Sequence, residues 1–512
     1  MPSSWETFPI EFKGGLISNL NPLQQGINKV GSATILQNFE PSKNGGYKKV
    51  LGYTKFISAA LPGTSNVLGV RVISSSEVIA IRKNGDNVSQ YYLGSGSTWT
   101  SLGSAASLGG RVKHEDYNFT GVDKVMFVDG VNSPAVYNDS SNTLSFPSLP
   151  ADLTGAEHIT EYKNALFLSK GPNLYFSAPF SDADFSAASG GGVINVGHQI
   201  TGLFVFRDQL IIFSRTKIQR LVGSTIADFQ LVPIAGNIGC LYGETIQEVG
   251  GDVMFMAADG LRLLSATERI GDFGLGVASA PISKDAISFI NSTTIFSSIV
   301  LREKAQYRVF AFSESVPSIS AKGLIATKFA DQGSDEIHWA TLSGFRAYCA
   351  HGLYVVGREL TVFANSDGYV YRLEFGSSRD GAAIEAVFKS PYMPINDPQL
   401  RKTFYKLAIY AETSGTLAVA VNLDFDLFKI DNYTGGLANT INIYSEASGI
   451  FLYGSPTSVY GTATYGSALD NVLNTNVIGS GRTVSLRLED KTTNPTFSLD
   501  TAVLEYRVNE RK

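Results

Sequence analysis

Metal or nucleophile chemistry in this chain would have to be built from five histidines, two cysteines and scattered carboxylates. The histidines are His114, His158, His198, His338 and His351, and the cysteines are Cys240 and Cys349. None of these falls at metal-ligand spacing with another, so no metal site is expected. His338-Trp339 and His351-Gly352 read as hydrogen-bonded strand residues, and Cys349 as a buried, inert thiol in an apolar-alternating strand. The clusters Gly190-Gly191-Gly192 and Gly479-Ser480-Gly481 lack the following Lys-Ser/Thr and helix of a phosphate loop, so both read as turns. No G-x-S-x-G elbow and no H-E-x-x-H motif occurs.

Glycoside hydrolysis needs two carboxyl groups at a set separation. The nearest signal is Gly96-Ser97-Thr98-Trp99, which matches the end of the Asp-box turn, S-x-D-x-G-x-T-W. Gly94 stands at the aspartate position and Tyr92 at the leading serine, so the hydrogen-bonding core of that turn is missing. The expectation is a chain with no catalytic, metal or cofactor-binding residue, no cofactor, and no enzymatic activity.

The elements that carry these residues repeat. Seven short apolar runs recur: Val78–Ile81, Val125–Val128, Ala165–Leu168, Leu210–Phe213, Val253–Met256, Val309–Phe312 and Val362–Ala364. Their starts are roughly 40 to 56 residues apart, near the blade period of propellers. Met254–Leu264 and Val362–Leu373 match best, with Asp259-Gly260 and Asp367-Gly368 in register as hairpin turns. One small sheet per repeat, stacked radially, is the expected arrangement. In the first copy the strands are predicted at 67–73, 77–82, 88–93 and 99–102. A short helix is predicted over 283–290, within an insertion.

The fold class expected is therefore all-β: a six- to seven-bladed β-propeller over 61–380, plus a β-sandwich-like platform domain over 381–512. Residues 1–60 are predicted to be an N-terminal arm packing on the platform. Within the platform, Thr403–Ala411 and Thr416–Leu423 alternate apolar and polar residues and are predicted to form a hairpin. Between later strands lies an aromatic-Gly repeat, in which Tyr453, Tyr460 and Tyr465 are each followed by glycine. Tyrosine gives large contact area at low entropy cost, so these three are the candidate interface residues.

Composition narrows the class. Of 512 residues, 44% are hydrophobic but only 17% charged, below the roughly 25% usual in soluble domains. A net charge of −5 gives no reason for tight nucleic-acid binding, which needs clustered Lys and Arg. Two cysteines supply no disulfide framework. No secretory signal and no membrane-spanning segment is expected.

Three stretches resemble the tail nozzle, or hub, proteins of short-tailed bacteriophages. They are Gly14-Gly15-Leu16 through Ala33, Asn38-Phe39, Gly46 and Gly52-Tyr53; Ile238-Gly239-Cys240 with Val253–Met256 and Asp259-Gly260-Leu261; and Ile478–Val484 leading to Leu504-Glu505-Tyr506. The resemblance implies a structural virion subunit made in the bacterial host cytoplasm. It implies a homohexameric ring below a tail adaptor protein, which retains the packaged genome and conducts it during ejection. Implied partners are the adaptor, a tail fibre or plug protein, and phage DNA passing non-specifically through the lumen. The family's larger members carry tip insertions that this shorter chain lacks room for. The alternative is a receptor- or glycan-binding propeller of a phage tail. That would place a Trp or Tyr in register on each blade, whereas the three tryptophans (Trp5, Trp99, Trp339) are not equivalently placed.

Overall fold

The computed structural model describes residues 5–223, 225, 228–270, 276–331, 334–413, 417–426, 441–445 and 472–509. The fold is all-β, with many small sheets. All seven apolar runs are strands, and each is the second strand of a separate antiparallel sheet. These strands are Glu77–Lys83, Lys124–Val128, Ala165–Lys170, Gln209–Ser214, Asp252–Ala257, Gln306–Phe312 and Arg358–Ala364. The first sheet runs Thr64–Val72, Glu77–Lys83, Ser89–Ser95, Thr98–Ser104 in simple up-and-down order. Its last hairpin turns on Gly96, at φ +62°, a conformation glycine adopts without steric cost.

The runs are continuously apolar because both faces of each middle strand are covered. Successive side chains point to opposite faces, and here the two faces belong to different neighbours. Ile79 and Ile81 pack with Val125 and Phe127 of the second sheet, while Val78 and Ala80 pack with Val362 and Ala364 of the seventh. Met126 and Val128 then meet Leu166 and Leu168, and Ala165 and Phe167 meet Leu210 and Ile212. Ile211 and Phe213 meet Val253 and Phe255. Met254 and Met256 join the largest cluster, which holds Phe296 and Val309 of the sixth sheet and Phe363 of the seventh. Each fully buried aliphatic side chain contributes roughly 1.5–3 kcal/mol of transfer free energy.

Between the fifth and sixth sheets stand the helices Leu264–Ile270 and Ser283–Ile290. The second lies where sequence placed it and buries Ala286, Phe289 and Ile290, a spacing that defines one helical face.

The N-terminal segment is threaded through both halves of the molecule. Glu6–Glu11 pairs with Phe497–Val508, and Tyr47–Lys49 joins the same strand near Leu499. Ile35–Gln37 pairs with Ala386–Lys389 and makes a parallel bridge, Gln37 to Thr341, to the sixth sheet. Tyr53–Lys55 is the outermost strand of the seventh sheet, paired with Val370–Leu373. Residues read as an arm thus complete a sheet of the repeat region. A three-residue strand with no alternation carries no sequence signal for that role.

After residue 381, two sheets pack their apolar faces into one core. Phe404, Leu407 and Ile409 come from one, and Leu417, Val419, Val421, Leu486 and Leu488 from the other. Here the hairpin expectation fails. Lys402–Thr413 pairs with Phe497–Val508 and Val472–Gly481, while Leu417–Phe425 pairs with Val484–Asp490 and Ile441–Ser445. Both strands carry a clean apolar face, and facing each other across the core buries both. Side by side in one sheet, they would still need a second layer to cover them.

Candidate functional site

The first strands of the seven sheets gather the polar chemistry of the repeat region. They are Thr64–Val72, Lys113–Tyr117, His158–Tyr162, Ile200–Phe206, Gln247–Val249, Ile295–Leu301 and Cys349–Val355. Lys113–Tyr117 lies beside His158–Tyr162, which lies beside Ile200–Phe206; Cys349–Val355 lies between Ile295–Leu301 and Thr64–Val72. Among them is a cavity of about 250 Å³, lined in part by His114, His158 and His351, with Lys113, Glu115 and Glu244. Three of the five histidines, separated by up to 237 residues (351 − 114), therefore face one space.

Arg111 reaches across this space. Its guanidinium donates to the carbonyls of Phe296 and Tyr348, each at 2.7 Å, and stands 3.6 Å from the Glu244 carboxylate. Lys113 Nζ approaches the same carboxylate at 3.4 Å. Burial opposes charge on Glu244, but Lys113 and then Arg111 hold its carboxyl down at about 2. Gly243 makes this turn possible, because a Cβ there would sit 2.1 Å from the Thr201 carbonyl oxygen.

On the other side, His351 and His114 meet edge to face with ring centroids 4.8 Å apart. The Val72 N–H donates to His351 Nδ1 at 3.3 Å. Arg71 stands beside His351 and pairs with Asp116 through Nε at 2.9 Å. Burial, then the Arg71 guanidinium, holds both imidazoles well below their ordinary range, so they are neutral at pH 7. His158 is pushed down to about 3 by burial and then Lys113, and its Nδ1 bonds Ser169 Oγ at 2.9 Å. Glu115 is pushed up to about 7 by burial, and its carboxyl accepts from the Glu161 N–H at 3.1 Å.

Each of these groups ties one sheet to another: first to second, second to third, first to seventh, fifth to second. Ser298 adds sixth to fifth by donating to the Glu244 carbonyl at 2.6 Å. Hydrogen bonds to charged groups contribute roughly 1.5–3 kcal/mol each. What the arrangement does chemically is hold strands at fixed separation.

The remaining candidates sit apart. Burial pushes the thiols of Cys240 and Cys349 up to about 12, and Cys349 donates to the Val67 carbonyl. No group of three or more metal-ligating side chains occurs among the described residues. His338 lies 3.5 Å from Glu336 and packs against Phe329. The Asp-box remnant is a packed turn: a side chain at Gly94 would meet the Trp99 ring at 2.6 Å, and Trp99 Nε1 donates to Ala59 O. The interface candidates Tyr453, Tyr460 and Tyr465 lie outside the described residues. The convergence of histidines was invisible in sequence, since each sits near the start of a different sheet.

No protein-family model matches this chain, and no curated protein matches it.

Proposed function

We propose that the chain is a structural subunit of a short-tailed phage tail nozzle, in which the seven sheets form a seven-bladed β-propeller seated on a sandwich platform. The observation that carries the propeller is the cycle of packing contacts, in which Val362 and Ala364 of the seventh sheet return to Val78 and Ala80 of the first. The Tyr53–Lys55 strand, supplied from the other end of the chain, fits the closure expected of such a ring. Six copies of this subunit would extend the DNA channel below an adaptor, retain the genome, and conduct it.

Three features support that role. The propeller and platform share one core and are stitched by the N-terminal segment, which gives a rigid body with two dissimilar faces. Head-to-tail ring closure requires two such faces. The conduit is the lumen between subunits, because the cavity inside the repeat region holds only about 250 Å³ and is crossed by Arg111. With 41 Lys and Arg against 46 Asp and Glu, a lumen wall poor in cations lets DNA slide, since each neutralised phosphate adds salt-sensitive grip.

The receptor-binding alternative gains nothing from the tryptophans. Trp339 is fully buried, with its indole N–H on the Ala278 carbonyl, and Trp5 stacks on Tyr405 in the platform. Electron microscopy of the purified protein mixed with adaptor rings tests the proposal. Sixfold annuli docked on the adaptor are expected; single particles that never join it would overturn the reading.

A further inference from the structure

The platform's six-stranded sheet ends on a strand with unusual composition. Val472–Gly481 reads VLNTNVIGSG, ten residues without a charge or a proline. Among the described residues it pairs on one side only, with Lys402–Thr413. Natural edge strands are blunted by charges, proline, bulges or brevity, because an open edge is a template for another strand. Outer strands of the repeat sheets show these guards. Gln230–Ala235 carries Pro233, Thr143–Ser145 has three residues, Gly192–Asn195 has four, and Thr98–Ser104 meets its neighbour across a bulge. Val472–Gly481 is longer than all four.

The surface beside this edge is apolar. Ile478 is 89% exposed, and the register places it abreast of Tyr405, which is 41% exposed and carries Trp5 against its ring at 4.1 Å. Across the same sheet lies a second open edge of opposite character. Glu6–Glu11 pairs on one side with Phe497–Val508 and ends in a glutamate at each terminus. Next to the uncharged edge, Lys406 is exposed and faces Asn476 across the pair. One sheet therefore offers two different edges, one flanked by a cation and the other bearing anions.

We propose that Val472–Gly481 receives the Glu6–Glu11 edge of a second copy of this chain, so that platform sheets continue from subunit to subunit. The contact is head-to-tail, the kind that closes into a ring, and backbone hydrogen bonds along the edge supply much of its affinity. It rests on the ring-forming reading above.

Disulfide trapping tests it on the intact protein, whose two native cysteines are both buried. Thr7→Cys with Asn476→Cys should give a ladder of linked oligomers under mild oxidant, and neither single variant should. Dimers from Asn476→Cys alone would show two-fold edge pairing and overturn the proposal, as would absence of crosslinks in the double variant. Ile478→Lys adds a guard charge at an exposed position and should reduce oligomer at least tenfold with an unchanged melting temperature. The control Val356→Lys, at a site 91% exposed in the seventh sheet, should leave assembly intact. Rings that persist in Ile478→Lys would sink this interface while leaving the nozzle reading standing. If the wild type never joins adaptor rings, the nozzle reading fails instead.

Discussion

Lys49 Nζ lies 2.9 Å from the Asp490 carboxylate, and both side chains are fully buried although 441 residues separate them. The lysine also donates to the Thr492 carbonyl. The pair fixes the N-terminal segment to the C-terminal sheets at the point where Tyr47–Lys49 meets Phe497–Val508. Removing one partner leaves a buried charge uncompensated, which costs about 3–5 kcal/mol, whereas replacing both with apolar groups can be nearly neutral. Lys49→Met should therefore lower the urea midpoint sharply, and Lys49→Met with Asp490→Leu should recover most of it. Equal losses in the single and double variants would contradict this.

Arg82 is the corresponding clasp in the repeat region. It donates to the carbonyls of Leu61, Ser65 and Ser366, joining the first sheet to the turn of the seventh. Gly368 leaves room for it, because a Cβ there would lie 1.9 Å from the guanidinium. Arg82→Ala should destabilise by about 2–3 kcal/mol, and amide exchange should quicken first along Tyr53–Lys55 and Val370–Leu373. Uniform exchange change across all sheets would argue against a local clasp.

The cavity groups set an acid limit on stability. His158 titrates near 6.5 when unfolded and at about 3 when folded, so below pH 6.5 the unfolded chain binds the proton and the native chain does not. Stability is then lost as pH falls from 6.5 toward 3, by at most about 1.4 kcal/mol per pH unit. His114 and His351 act in the same direction. Replacing His158 with Asn should flatten melting temperature against pH over that window; an unchanged slope would refute the assignment.

Glu115 works with the opposite sign. Its folded value of about 7 exceeds the ordinary 4.5, so its contribution is present below pH 4.5 and lost as pH rises through 7. Glu115→Gln should thus raise the melting temperature at pH 8 relative to wild type more than it does at pH 5. The reverse ordering would show that its charged form is stabilised instead.

Much of the repeat region was legible because its second strands are covered on both faces. Val78–Ile81 and Leu210–Phe213 are therefore apolar without alternation, a pattern that stands out at any register. The Ser283–Ile290 helix was legible from its i, i+3, i+4 apolar spacing. Partner choice was not. Alternation over Lys402–Thr413 and Leu417–Phe425 says that each has one buried face, and does not say whether they share a sheet or oppose one another. The Tyr53–Lys55 strand was missed because its pairing is with residues more than 300 positions away. His114, His158 and His351 meet only through the fold, and no linear spacing encodes that meeting.

Both thiols should be silent to charged thiol reagents in the native protein, since burial suppresses thiolate formation at Cys240 and Cys349. Two equivalents should react on unfolding. Rapid native labelling of either would contradict the packing described around them.

The central claim is that this chain is a ring-forming subunit of a DNA conduit. A cryo-electron microscopy reconstruction of the virion tail tests it most directly. The account expects six copies below the adaptor, platform sheets continuous between neighbours, and a lumen wall with few Lys or Arg side chains. Density for this chain at another symmetry, away from the channel, or lining it with dense Arg and Lys would contradict the account.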